Sequence, residues 1–361
     1  MRLARSLTVA LAACTIATSV GARQLAFEPG AIWPDDKGVH INAHGAGLLL
    51  DHGTYYWFGE HKLHGKIGNT AQVGVHVYTS RDLYNWRDRG IALAVSDDPA
   101  SPITRGSIIE RPKVLHNPKT GKYVMWFHLE YKGQGYKAAR AGVAVADRPA
   151  GPYRFIDSFR PEAGVWPVNA KPEDRQPGET NFLARDFADG QMSRDMTLFQ
   201  DDDGKAYQIT SSEENHTLHI SQLSDDYLRP AGRYARAFPG GDNEAATLFK
   251  HAGRYYLISS GLTGWRPNAA RSAVADTIFG PWRSLGNPVR GTPEQVATTF
   301  GGQSTFAIPA PCDARQTILM FDIWRPSDPI DGRYVWLPVE WEGEKPVVRW
   351  RDHWSLADIC K

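Results

Sequence analysis

No sign of charge dominates this chain of 361 residues: 41 Lys and Arg stand against 40 Asp and Glu, for a formal net charge of +1. Without a basic or acidic excess there is no electrostatic footprint for nucleic acid or an anionic membrane, and neither is expected as a partner. Past the first 22 residues no apolar run is long enough to cross a bilayer. Long helical periodicity is missing, which argues against a helical fold. Zinc-ligand spacing, phosphate-cradling loops and nucleophilic-serine motifs are also missing, so no metal and no cofactor is expected. Asp201-Asp202-Asp203-Gly204 lacks the rest of an EF-hand loop and reads as an acidic hairpin turn. Cysteine is scarce, with three residues at 14, 312 and 360.

What the chain does have is Gly (34), Pro (24) and Trp (12) in quantity. Most of the Trp are expected in the core, but some faces are left for the apolar C–H side of a sugar ring. The first residues read as an export leader: Arg2 and Arg5, an apolar stretch Leu7 to Val20, and the small-residue site Val20-Gly21-Ala22. That divides the chain into a signal peptide, 1–22, and one domain, 23–361, with a secreted or periplasmic address. Leu11-Ala12-Ala13-Cys14 offers the alternative of a lipid-anchored Cys14. After cleavage Cys312 and Cys360 remain, a pair expected to form a disulfide in an exported protein.

Internal repeats define the architecture. A Gly turn followed by an aromatic-rich strand recurs at Gly53 to Phe58, Gly121 to Trp126, Gly204 to Ile209 and Gly253 to Ile258, and without the Gly at Gln316 to Phe321. Gly supplies the positive φ of a hairpin turn, and the β-branched and aromatic runs suit strands. A second, alternating strand and a turn follow each one, as at Val75 to Ser80 before Asp82-Leu83-Tyr84-Asn85-Trp86. Five such units predict an all-β fold, a five-bladed β-propeller. The longest insertion, Phe159 to Gln191, is expected to fold over one face of the disc.

Counting back from each Gly reaches the start of the preceding strand. Glu244, Asp195 and His44 stand nine residues before Gly253, Gly204 and Gly53, and Glu110 stands eleven before Gly121. Gln303 begins the corresponding strand of the fifth unit. First strands of propeller blades line the axis, so these five side chains are expected around one cavity. Three carboxyls close together repel, which raises at least one pKa and suits it to general-acid work.

This ring and its flanks resemble glycoside hydrolase family 43, inverting five-bladed enzymes, over about Phe27 to Trp354. Most members carry an Asp base on blade one, where this chain has His44-Gly45-Ala46-Gly47. That departure resembles the exo-β-1,3-galactanase branch, as do Glu60-His61-Lys62, Glu110-Arg111-Pro112-Lys113-Val114, Ser193-Arg194-Asp195-Met196 and Arg333 to Pro338 after Trp324. The resemblance implies Glu244 as acid, Gln303 as the residue that positions or activates water, and Glu110 as the carboxylate that tunes the acid. Glu60, Asp195, His44, Tyr136 and Trp324 are the expected sugar contacts. A neutral amide is a poor base, and His44, whose ordinary pKa lies near neutrality, is a second candidate acceptor. The implied activity is release of terminal galactose from β-1,3-galactan by a monomeric enzyme acting on polysaccharide or oligosaccharide. An α-L-arabinofuranosidase or β-xylosidase of the same family is an alternative, disfavoured by the missing Asp. A non-catalytic sugar-binding propeller is a further alternative, and the retained Glu110 and Glu244 argue against it.

Overall fold

A computed structural model describes residues 24–65, 68–70 and 72–360. The leader and Cys14 lie outside the described residues. The fold is an all-β propeller in which five of the six sheets are wholly antiparallel. Its first sheet runs His44–Asp51, Thr54–Lys62, Gln72–Ser80, Arg87–Ala94. The second runs Ile108–His116, Tyr123–Glu130, Arg140–Ala146, Arg154–Phe159. The third runs Met196–Gln200, Ala206–Ser212, Thr217–Leu223, Pro230–Ala237, and the fourth Glu244–His251, Arg254–Ser260, Arg271–Ala275, Arg283–Gly286. Gln303–Ala310, Asp313–Ile323 and Arg333–Pro338 make the fifth. The predicted hairpin glycines hold the expected left-handed backbone, with φ of 73° at Gly53, 68° at Gly121, 79° at Gly204 and 77° at Gly253.

Five sheets were expected and six are present. The additional one joins Val289–Arg290 in parallel to Lys345–Arg349, which pairs in turn with Glu340–Glu342. Its strands are short. Val289–Arg290 is distant in sequence from the other two, and these form a hairpin through Gly343 that lacks the aromatic-rich strand of the repeat, so no periodicity announces it. It contributes no strand to the axis. The first strands of the other five sheets touch in succession, and the fifth returns to the first.

Apolar side chains fill the wedges between neighbouring sheets. Leu49, Phe58 and Val77 of the first sheet meet Val114, Met125 and Phe127 of the second in one buried cluster. Between the fifth and first sheets the filling is aromatic. Trp336 lies 4.8 Å from Trp57 and 5.1 Å from Trp33, ring to ring, and Trp57 is 4.6 Å from Tyr334. Trp33, Trp57, Trp86, Trp126, Trp336 and Trp354 are all buried, so half of the Trp serve the core. Tail and head meet where Phe27 N–H donates to Trp354 O (2.7 Å) and Trp354 N–H donates back (3.1 Å). Cys312 and Cys360 are bonded, with Cα atoms 5.7 Å apart, tying the tail to the fifth sheet.

The insertion reaches the loops at the cavity end, where the Phe182 ring stacks on His216 and Arg160 Nε donates to Ala138 O (3.0 Å). It packs along the outer strand of the third sheet, where Asn169 Nδ2 donates to Arg236 O (2.8 Å) and Val168 N–H to Tyr234 O (2.8 Å). Its short helix Phe182–Arg185 sends Arg185 to Glu214 (3.1 Å), which also pairs with Arg194 (2.9 Å) at the cavity rim.

Candidate active site

One local device aims the ring residues. In the first, second and fourth sheets the inner strand gains one residue directly after its first polar side chain. His44 pairs with Glu60 but Gly47 with Phe58; Glu110 with His128 but Lys113 with Trp126; Glu244 with Ser260 but Thr247 with Ile258. The residue that follows is left-handed each time: Gly45 at φ 64°, Arg111 at 50°, Ala245 at 53°. Such a bulge bends the strand and turns the preceding side chain inward. The fifth sheet has a shift between Ser304 and Phe306. The Gly45 and Gly47 of the first strand have steric causes. A Cβ on Gly45 meets Glu60 Oε1 at 2.3 Å, and one on Gly47 meets Lys113 Cδ at 2.4 Å.

All eight residues singled out in the sequence line one cavity of about 310 Å³: His44, Glu60, Glu110, Tyr136, Asp195, Glu244, Gln303 and Trp324. Arg111 organises its floor. The guanidinium contacts Asp195 Oδ1 through Nε (3.0 Å) and donates to Gln303 Oε1 through Nη2 (3.0 Å) and to Ser304 O through Nη1 (3.0 Å). Its backbone N–H donates to Glu60 Oε1 (2.8 Å). Lys62 pairs with Glu60 Oε2 (2.8 Å), and buried Lys113 donates to Gly45 O (2.8 Å) below.

Two carboxyls on this ring are driven in opposite directions. Glu244 is pushed up to about 8, first by burial and then by the charge of Asp195, against the pull of Arg111 and a hydrogen bond from Asn215 Nδ2 to its Oε1 (2.8 Å). Repulsion contributes as expected, but burial is the larger cause. Burial also acts on Glu110, yet His128 outweighs it and holds Glu110 below the ordinary range. Glu110 accepts at Oε1 from Asn69 Nδ2 (2.6 Å) and the Tyr136 hydroxyl (2.7 Å), and at Oε2 from His128 Nδ1 (2.8 Å). His128 Nε2 faces Glu130 Oε1 at 2.8 Å. Burial opposes the imidazolium, but these two carboxylates raise it to about 9. At neutral pH the ring therefore holds a protonated Glu244, able to give a proton, beside an ionised Glu110. Gln303 accepts from Arg111 and donates Nε2–H to Ser260 Oγ (3.0 Å), which fixes the orientation of its amide.

Glu110, His128 and Asp195 each bring one ligand-type atom within 4.8 Å of the others. In the arrangement described, both His128 nitrogens face carboxylate oxygens at 2.8 Å.

Sequence reasoning missed His128, Asp322, Asn215 and Trp265. A signal existed for the first: the residue seven places after each hairpin Gly lies within the last three residues of the second strand, beside the ring, giving Glu60, His128, Ser211 and Ser260. Asp322 is the equivalent partner of Gln303 in the fifth sheet, which lacks the Gly. Trp265 sits on the loop after the second strand of the fourth sheet, 59% exposed, and faces Tyr136 and Trp324 at ring distances of 6.1 Å each. No repeat marks that loop.

Residues 179–310 match the glycosyl hydrolases family 43. A solved family-43 β-1,3-galactosidase, with galactodeoxynojirimycin, is 50% identical; the similarity covers 91% of this chain and 100% of that one, with a TM-score of 0.86. An exo-β-1,3-galactanase from Phanerochaete chrysosporium, solved with β-1,3-galactotriose, is 33% identical over 91% of this chain and 68% of that one, with a TM-score of 0.77. A curated xylosidase/arabinosidase from Bacteroides ovatus is 26% identical over 251 residues, covering 63% of this chain and 71% of the relative.

Proposed function

The chain belongs to glycoside hydrolase family 43, and from that premise we propose that it removes terminal galactose from β-1,3-galactan chains with inversion at the anomeric carbon. It is a glycoside hydrolase; the substrate and the roles below are our reading. The observation that carries it is the polarised ring: a buried Glu244 protonated up to about pH 8 beside a Glu110 held ionised. Glu244 gives its proton to the departing glycosidic oxygen. Gln303, clamped between Arg111 and Ser260, holds the attacking water. An inverting site uses an acid and a water on opposite faces of the sugar. Glu110, with Tyr136 and Asn69 on it, keeps a negative charge that favours the protonated form of Glu244. Glu60, Asp195, His44, Tyr136 and Trp324 contact the galactose. The floor closed by Arg111 and Lys113 favours a chain end over a chain interior.

The bonded Cys312 and Cys360 support an exported enzyme. We read it as acting alone, as a monomer. Incubation with β-1,3-galactan, arabinan and xylan, followed by product analysis and NMR of the first anomer, tests the reading. Galactose released one unit at a time as the α-anomer is the expected result. Arabinose or xylose as the main product would transfer the reading to the xylosidase/arabinosidase activity of the curated relative, and no product from any of the three would leave only sugar binding.

A further inference from the structure

The site as described has a donor of a proton but no acceptor. Gln303 is neutral. Its Oε1 already accepts from the Arg111 cation at 3.0 Å, which withdraws electron density from the one atom able to take a proton. The water it holds must lose a proton to another group.

Among the described residues, five buried polar atoms of cavity-lining side chains make no hydrogen bond. Glu60 Oε2 is nevertheless paired with Lys62 (2.8 Å), and Arg194 Nε and Trp324 Nε1 can only donate; the other two are Nδ1 of His44 and Oδ1 of Asp322, on side chains that lie against each other. Both residues line the cavity. Asp322 is 4% exposed, lies directly across the ladder from Gln303, and therefore shares a sheet face with it. Its Oδ2 accepts from Gly45 N–H (2.6 Å) and Ala46 N–H (3.4 Å), and lies 3.7 Å from His44 Nδ1. The His44 ring leans on Trp324, centroids 4.9 Å apart. With Nδ1 buried toward Asp322 and the side chain 16% exposed, Nε2 is the nitrogen left for the cavity.

We propose that His44 and Asp322 form the proton-accepting pair of the hydrolysis, with His44 Nε2 as the base and Asp322 as the residue that holds Nδ1–H. This rests on the inverting reading of the site. Water held by Gln303 forms the new bond to the anomeric carbon as the glycosidic bond breaks. The water proton passes to His44 Nε2, and the Glu244 proton passes to the departing oxygen. The products are the inverted sugar and a shortened chain with a free hydroxyl. His44 then returns its proton to solvent and Glu244 takes one up.

The surroundings fit a neutral acceptor. Burial is the main influence on both partners and lowers His44 to about 4 while raising Asp322 to about 7. Glu60 on the second strand of the first sheet favours the His44 cation; Lys62, Arg111 and Lys113 oppose it. Arg111, Lys113 and the N–H groups of Gly45 and Ala46 favour ionised Asp322, and Tyr334 of its own sheet feels that charge. Catalytic hydrogen bonds often lengthen without substrate, and closing 3.7 Å to a direct bond needs only a small ring movement.

The test uses His44→Gln, Asp322→Asn and the double variant, assayed on β-1,3-galactooligosaccharide and on an aryl β-galactoside with a good leaving group. The activated substrate bypasses the acid but not the base. His44→Gln is expected to lose about 10²–10⁴-fold in kcat on both substrates. Asp322→Asn keeps the bonds to Gly45 and Ala46 and is expected to lose much of the same, with KM little changed. The double variant should be no worse than His44→Gln, because the two act as one unit. The acidic limb of the pH–rate profile should vanish in each. Retention of more than a tenth of kcat by His44→Gln with the wild-type acidic limb, or losses that multiply in the double variant, would overturn the proposal. If wild-type enzyme instead releases no galactose, the functional reading itself has failed, which is a separate result.

Discussion

Replacing Glu244 by Gln should abolish most turnover and, at alkaline pH, make the protein more stable. Gln keeps the shape and can still accept the Asn215 hydrogen bond of 2.8 Å. It removes only the proton and the charge. The activity cost is loss of proton donation to the leaving oxygen, on the order of 10²–10⁴-fold for an unactivated substrate. The stability gain follows from linkage. Burial and Asp195 raise Glu244 from 4.5 to about 8 in the folded chain. A raised acid binds its proton more tightly folded than unfolded, so its contribution is fully present below about pH 4.5 and is lost as pH climbs through about 8. At about 1.4 kcal/mol per unit the full loss is roughly 5 kcal/mol, and with cavity water beside the carboxyl about 3 kcal/mol is a fair expectation. For a chain of this size that is about 4 °C in Tm. The assay is differential scanning calorimetry of wild type and Glu244→Gln at intervals from pH 5 to pH 9. The difference in Tm should start near zero and grow with pH in favour of Gln. A flat difference, or one that shrinks, would refute the claim that Glu244 is held protonated in the fold, and with it the assignment of the acid.

Gln303→Ala should remove most activity, while Gln303→Glu retains more of it with a displaced pH–rate profile, because the new carboxylate meets both Arg111 and the charges of Glu110 and Asp195; near-wild-type rates in both variants would exclude Gln303 from holding water. Trp265→Ala should raise KM for long galactan by about tenfold and leave kcat on an aryl galactoside unchanged, since an exposed ring at the mouth is placed for the sugar beyond the cleaved bond; an unchanged KM on both removes it from the substrate path. Cys360→Ser should cost roughly 3–4 kcal/mol in urea unfolding through the freed 48-residue loop, and non-reducing mass mapping of exported protein should find Cys312 and Cys360 joined; two free thiols there would contradict the pairing.

The axial ring was readable because it is built from a count. Four hairpin glycines and the strands around them repeat, and stepping back from each Gly reaches His44, Glu110, Asp195 and Glu244 without any knowledge of contacts. Gln303 was found by the same strand pattern. Arg111 was quoted only as part of a motif, because its importance depends on a left-handed backbone at φ 50° that lets one guanidinium touch Asp195, Gln303 and Ser304 at once. The opposite drives on Glu110 and Glu244 were invisible for a related reason: burial and Asp195 push both upward, and only Glu110 has His128 against it. The small sheet of Val289–Arg290 with the tail has strands of two, three and five residues, too short for periodicity to register.

The bulge repeated in the inner strands makes each rim position a separate seat. Each one presents a single side chain from its own sheet on its own bent backbone, so an exchange at one position leaves the seats beside it undisturbed. The first seat here holds His44, and beside it, 3.7 Å from its Nδ1, lies the carboxylate of Asp322, supplied by a different sheet. Chemistry on such a rim is shared between sheets: a group that one seat does not carry can be set beside it by the neighbouring sheet.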